Sequence, residues 1–502
     1  MIAGAEELRK PPAIASRIAV LGFAIAAIAC VLYYEALATS GQPTVAVIWA
    51  GVALATYIVA LLCLTGASNG VGIGIVRWKI GPWMLLWYAV TFGLATVTWS
   101  QPQTGGVTGE IAVPSVLRAV WMLTVGISAW FVGYMAGPGQ LVMHAGHRAV
   151  RALGNRFTGE VRSLAAPWIL YAIGIAARLL TAASTGIFGY VGNASSAVST
   201  ASGYQGMLGA LALCAPLGVA AAALQVFRDS TKGARITLTV LFLTEVGFGV
   251  AAGNKENFVI AVLAVIISFG AAHRRLPRIA ITGVIITFLV VVIPFNQSYR
   301  SAVRQGTVTL TPSQGVATAP TILKETLTNG DMAGVVVDSL DYMTQRIREI
   351  DNVAIVVQRA PAQVPFASPL QLIEQPVIGM IPRAVWPGKP ILATGYQFGQ
   401  IFYELPPSVY TSTPDTMAGG LYWHGGWISV IFGMALFGAA VRLLDNILDV
   451  RTNPHAILLV LLLFPTLIGG ETDWSALLGT VPAILFVWLV SIAILFRPKW
   501  RI

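Results

Sequence analysis

ITLTVLFLTEVGFGVAAGNKENFVIAVLAVIISFGAA, residues 236–272, holds two apolar runs, 236–252 and 257–272, parted only by Gly253, Asn254, Lys255 and Glu256. A bilayer core offers no water to backbone N–H and C=O groups, so a crossing segment must satisfy them internally; a helix of about 17–25 apolar residues does this. The two runs read as membrane-crossing helices joined in a tight hairpin. Ten more runs of comparable character lie near 17–38, 44–65, 82–100, 115–136, 163–183, 204–226, 279–296, 416–441, 455–470 and 475–496. With about 12 transmembrane helices, the chain is expected to be an all-α polytopic membrane protein.

Composition agrees. Of 502 residues 56% are hydrophobic and 10% charged, and the mean hydropathy is +0.75, too few charges to cover a soluble globule of this size. The formal charge of +10 is dispersed in short clusters between apolar runs, which is how topology is encoded and not how nucleic acid is bound. Cys30, Cys63 and Cys214 all sit inside apolar runs and behave as small hydrophobes. The N-terminal MIAGAEELRKPPAIASR shows no small-residue cleavage site after the first apolar run, so that span reads as retained.

Basic residues set the orientation. Arg9, Lys10 and Arg17, then Arg77 and Lys79, Arg148 to Arg162, Arg228 to Arg235, Arg274 to Arg278, Arg442 and Arg451, and Arg497 to Arg501 fall on one side, whereas the short connections opposite hold Lys255 with Arg118 at a span start. By the positive-inside rule both termini are cytoplasmic. The chain then divides into 1–296, an N-terminal bundle of about nine helices; 297–415, an extracytoplasmic segment; and 416–502, about three further helices. Long loops translocate regardless of charge, and a loop of this length in a compact protein is usually functional.

Inside 297–415, Met332, Val336, Leu340, Met343, Ile347, Ile350, Ala354 and Val357 recur every three or four residues, predicting one amphipathic helix of about seven turns. The segment ends in IPRAVWPGKP, residues 381–390, which sets Arg383, Trp386 and Lys389 on a backbone whose φ is fixed by Pro382, Pro387 and Pro390.

Arg348-Glu349-Ile350-Asp351, the PR-x-x-WP-x-KP pattern, STPDTMAGGLYWHGGWISVIFGMALFG and AGNKENFVIAVLAV together resemble the bacterial oligosaccharide repeat-unit polymerases, the Wzy class of O-antigen polymerases. The resemblance covers roughly Thr244 to Leu444 and departs from the family pattern at Tyr422-Trp423-His424-Gly425-Gly426. It implies a GT-C-type membrane glycosyltransferase of the bacterial cytoplasmic membrane, with no metal or cofactor. The implied partners are a polyprenyl-pyrophosphate-linked oligosaccharide, membrane lipids, a chain-length regulator and a flippase. An O-antigen-ligase-like or polyprenyl-phosphate-sugar-dependent transferase, and a transporter or flippase, stand as alternatives.

The residues carry their own argument. Cleaving a sugar from a lipid pyrophosphate builds negative charge on the leaving group, which cations in a low-dielectric site stabilise. Lys255 opens a helix, where anions are attracted, or else snorkels to the interface. Arg300 and Arg304 lie one turn apart outside a span, bound to an anion or to the membrane surface. Arg348 and Arg383 offer planar guanidinium groups suited to phosphate, with Lys389 beside them. Trp386 packs or stacks on sugar. Arg178, within a span, is functional by default or paired, and Glu245 is its partner or that of Lys255.

A sugar hydroxyl attacks more readily beside a general base, for which Asp351, Asp415 and His424, with Glu471 and Asp473, are available. Each has a bland counterpart as a cap or surface acid; Thr413 and Pro414 before Asp415 read as N-cap and first helical residue. The absence of a P-loop, a strand-borne GxGxxG, HExxH and a cysteine pair argues against nucleotide and zinc chemistry.

Overall fold

A computed structural model describes residues 13–39, 43–68, 78–99, 111–154, 156–189, 205–273, 277–304, 312–328, 331–381, 383, 385–386, 388–390, 392, 394–406, 415–448, 454–469 and 473–498. Among them eleven helices are long and apolar enough to cross a membrane. The protein is an all-α polytopic membrane protein with one short strand pair. Eleven of the expected spans are present; 455–470 forms only a 15-residue helix, Pro454–Ile468. At about 22 Å this helix is shorter than a hydrocarbon core of about 30 Å, and its Ala456–Phe464 stretch is buried among other helices.

The chain opens with α1 (Ala13–Thr39) and α2 (Pro43–Ser68). Helix α3 (Ile80–Tyr88) passes through a π-turn into a 3-10 turn ending at Thr98, and α4 (Val113–Ala136) is followed by α5 (Gln140–Gly154), strand β1 (Phe157–Val161) and α6 (Ala165–Thr185). Helices α7 (Gln205–Ala212) and α8 (Cys214–Asp229) make one crossing. The quoted hairpin is α9 (Lys232–Ala252) and α10 (Lys255–His273), turned by Gly253 at φ 64° with Asn254 Oδ1 accepting from Glu256 N at 3.0 Å. Helices α11 (Arg278–Thr287) and α12 (Ile293–Arg304) form the ninth crossing.

The insertion then contributes α13 (Pro312–Leu327), α14 (Met332–Arg346), α15 (Ile350–Arg359), α16 (Gln371–Met380) and α17 (Thr394–Phe402). Helices α18 (Met417–Ile447), α19 (Pro454–Ile468) and α20 (Trp474–Leu495) and strand β2 (Phe496–Pro498) complete the chain, with β2 antiparallel to β1.

The expected seven-turn helix is two helices. The chain breaks at Ile347–Glu349, and while α14 is largely exposed, α15 buries Ile350 and Val353–Val357 between α4 and α18. Arg348 occupies the break, where Nε donates to Asp351 and Nη1 to the Thr98 carbonyl, each at 2.8 Å. Burying five consecutive apolar residues on all sides needs an orientation that a straight continuation of α14 does not provide.

Close approaches lock the bundle. A Cβ at Gly133 would lie 1.9 Å from the Ala435 carbonyl oxygen and one at Gly438 2.0 Å from that of Trp130, so α4 and α18 cross backbone against backbone. At the end remote from the insertion, Asp445 of α18 accepts from Ile80 N (2.5 Å), Gly81 N (3.0 Å) and Tyr134 Oη (2.8 Å), capping α3. Beside the strand pair, Arg162 N donates to Leu495 O at 2.6 Å.

Candidate functional site

Two carboxyls meet where α18 and α20 begin, and a buried histidine follows them along α18. Thr416 caps α18, its Oγ1 accepting from Gly419 N at 3.1 Å; the cap is therefore not Thr413, which with Pro414 and Glu471 lies outside the described residues. Asp473 caps α20, accepting from Ala476 N at 2.7 Å and from Ser475 Oγ at 2.5 Å. Asp415 and Asp473 are both buried and both face Gly420, whose added Cβ would lie 3.4 Å from Asp415 Oδ2 and 3.7 Å from Asp473 Cβ. Burial, then the Asp473 charge, raises the Asp415 carboxyl well above the usual carboxylate range.

One turn beyond Gly420, His424 is 5% exposed with Nδ1 2.7 Å from the Gly420 carbonyl. A carbonyl only accepts, so Nδ1 carries the proton and Nε2 the basic lone pair. Nε2 is buried and has no hydrogen-bond partner among the described residues.

The helix breaks immediately after it. Gly426 adopts φ 61°, ψ −149°, a region essentially restricted to glycine. The interruption frees the Trp423 carbonyl, which accepts from Ala367 N at 2.9 Å, and Trp423 Nε1 donates to Pro365 O at 3.2 Å. The insertion thereby covers the break.

The other residues fall into separate groups. Asp351 pairs with Arg348; next to them Asn352 donates to Glu349 and accepts from Tyr403 Oη, both at 2.7 Å, and Arg359 pairs with Glu404 at 2.5 Å. In the proline-rich loop Arg383 donates to the carbonyls of Lys389 (2.6 Å) and Pro390 (3.1 Å), while Lys389 Nζ donates to those of Gly379 and Ile381, both at 2.9 Å. Desolvation, then the Arg383 charge, lowers the Lys389 ammonium. Val385 and Trp386 form the exposed tip, whereas Pro382 and Pro387 lie outside the described residues.

Lys255 lines a separate groove of about 190 Å³ with Asn254, Asn296 and Leu323. Arg300 donates to Tyr342 Oη at 3.4 Å, and Arg304 ends α12, its side chain outside the described set. Arg178 pairs with fully buried Glu245 at 2.8 Å and lies 5.0 Å from the Phe248 ring centre. The structure thus brings Asp415 to Asp473, Arg348 to Asp351 and Arg383 to Lys389, places His424 further along α18 from the two acids, and sets Arg178 and Lys255 apart on other helices. Asp473 joins the first group through contact between distant spans; its only sequence signal is its place before an apolar run.

The fold and this cluster define a multi-pass α-helical membrane protein with a buried acid–histidine site at one end. A family model described as Domain of unknown function (DUF8712) matches residues 174–448, more than half of the chain, and the chain belongs to that family. No curated protein and no solved structure matches. The matched stretch runs from within α6 to the end of α18 and includes Asp351, Arg383, Asp415 and His424, but not Asp473.

Proposed function

We propose that the protein is a GT-C-like membrane glycosyltransferase that joins lipid-linked oligosaccharide repeat units on the extracytoplasmic face of a bacterial cytoplasmic membrane. In this reading an acceptor sugar hydroxyl attacks the anomeric carbon of the donor and the new C–O bond forms. The bond from that carbon to the lipid pyrophosphate breaks, the pyrophosphate leaving with the electron pair, and the hydroxyl proton passes to His424 Nε2. The observation that carries it is the unpartnered, buried His424 Nε2 at a helix break beneath the insertion, with its tautomer fixed by Gly420. Arg348, Arg383 and Lys389 act here as positioning residues, because they donate to carbonyls or a carboxylate that shape the roof. Lys255 and Arg300 add positive potential at the same end.

The test is purified protein with a synthetic polyprenyl-pyrophosphate oligosaccharide, read as glycan length by mass spectrometry. Wild type is expected to lengthen the glycan. His424→Ala and His424→Gln lower the rate about 10²–10⁴-fold while remaining monodisperse. Unchanged glycan length with wild type sinks the transferase reading, and transbilayer movement without lengthening replaces it with a transporter. Transfer of a finished chain to a different acceptor makes the protein ligase-like. Full activity in both His424 variants removes the histidine as base.

A further inference from the structure

We propose that the face built by α1, α2 and α4 binds one single-chain lipid phosphate, its chain in an apolar groove of the bundle and its phosphate on Arg118. The groove, of about 300 Å³, is lined by residues including Phe23, Ala26, Ala53, Leu54 and Tyr57. Facing alanines on α1 and α2 leave the space open. Along α1 it spans Phe23 to Tyr34, about 16 Å of helix, room for one extended chain. Phe23, Tyr34 and Trp121, which line the groove, are themselves exposed, so it opens towards hydrocarbon, from which a lipid tail enters laterally.

At its insertion end the groove meets a second cleft, of about 420 Å³, lined by Arg118, Trp121, Gln358, Pro361, Tyr422 and Trp427. Trp121 borders both spaces, and consecutive residues on α4 divide them: Leu117 faces the groove and Arg118 the cleft. Arg118 is exposed and makes no ion pair or hydrogen bond among the described residues. A planar, always-charged guanidinium where an apolar channel turns polar matches a phosphate head on an apolar tail. Tyr422 and Trp427, edge to face at 6.3 Å, wall the far side and present aromatic surface to whatever the phosphate carries. This site is distinct from that of His424, which lies about 200° around α18 from Tyr422. It stands independently of the transferase reading, since its readout is binding.

Native mass spectrometry of the detergent-purified full chain tests it with farnesyl phosphate, farnesol and sodium phosphate at equal concentrations. Wild type is expected to hold one farnesyl phosphate and at least tenfold less of either fragment. Arg118→Gln lowers occupancy at least tenfold, Arg118→Lys retains most of it, and Ala53→Trp, which fills the groove, abolishes it. Equal occupancy by farnesol, unchanged occupancy in Arg118→Gln, or phosphate binding alone overturns the proposal. Should Ala53→Trp fail to fold, a diazirine-bearing farnesyl phosphate on wild type decides. Cross-links within Phe23–Tyr34 or Leu117–Thr124 support the site, and cross-links confined to other helices overturn it.

Discussion

Asp415 stands one residue before the cap of α18, where the positive end of the helix dipole ordinarily favours a carboxylate, yet burial and the neighbouring Asp473 reverse that preference. Its proton is held more tightly in the folded protein than in the unfolded chain, where an aspartate titrates near about 3.9. Stability from this group is therefore greatest below about pH 4 and falls as pH rises through the raised folded value. Asp415→Asn keeps the shape and removes the titration. The variant is expected to melt above wild type at pH 8, by about 1.4 kcal/mol for each unit by which the native carboxyl is raised, and the gap should close towards pH 4. Thermal unfolding in detergent, followed by tryptophan fluorescence across that range, checks it; a variant that is less stable at pH 8 contradicts the assignment. His424, about two and a half turns further along α18, was legible as a residue type, but not as a base with one free nitrogen, because that depends on which nitrogen faces the Gly420 carbonyl.

Helices were legible in proportion to how far lipid dictates them. A crossing segment must be long, apolar and internally bonded, and eleven of the expected spans are present for that reason. Where water competes, the pattern misleads: the three-four spacing runs unbroken through Ile347 and Ile350, yet the chain turns there so that α15 can be buried. The cap of α18 was misplaced because STPDT offers several capping side chains, and only the backbone selects Thr416. Nor does local pattern reveal that α16 lies along α20 through Gly379 and Gly479, where a Cβ on Gly379 would come within 2.9 Å of the Gly479 Cα. Because Lys389 Nζ holds the Gly379 carbonyl, that contact seats the proline-rich loop as well. Gly379→Val should overpack the contact at a cost of about 1–3 kcal/mol and release the loop. Trypsin cleavage after Arg383 in proteoliposomes, faster in the variant than in wild type, is the expected reading; equal rates would separate loop from helix.

The whole molecule has two chemically unlike ends. One carries the insertion, the His424 cluster and Arg118; the other gathers Asp445, the β1–β2 tie and the amphipathic α5 with Arg148. Arg162, Arg228, Lys232, Arg235, Arg278, Arg442 and Arg497 all lie in or beside the short connections assigned to that second end. Short connections rich in arginine and lysine stay in the cytoplasm, because translocating them works against the membrane potential and the insertion machinery. The insertion end should then face outward. Two exposed positions distinguish the sides: Val385, 76% exposed at the tip of the proline-rich loop, and Leu141, 85% exposed on α5. In a background with Cys30, Cys63 and Cys214 replaced, Val385→Cys is expected to react with a membrane-impermeant maleimide in intact cells. Leu141→Cys should react only in inside-out vesicles. The reverse pattern would put His424 on the cytoplasmic side, remove the extracytoplasmic transferase reading, and leave the Arg118 lipid site untouched, since that site depends on the helices around it and not on which leaflet they face.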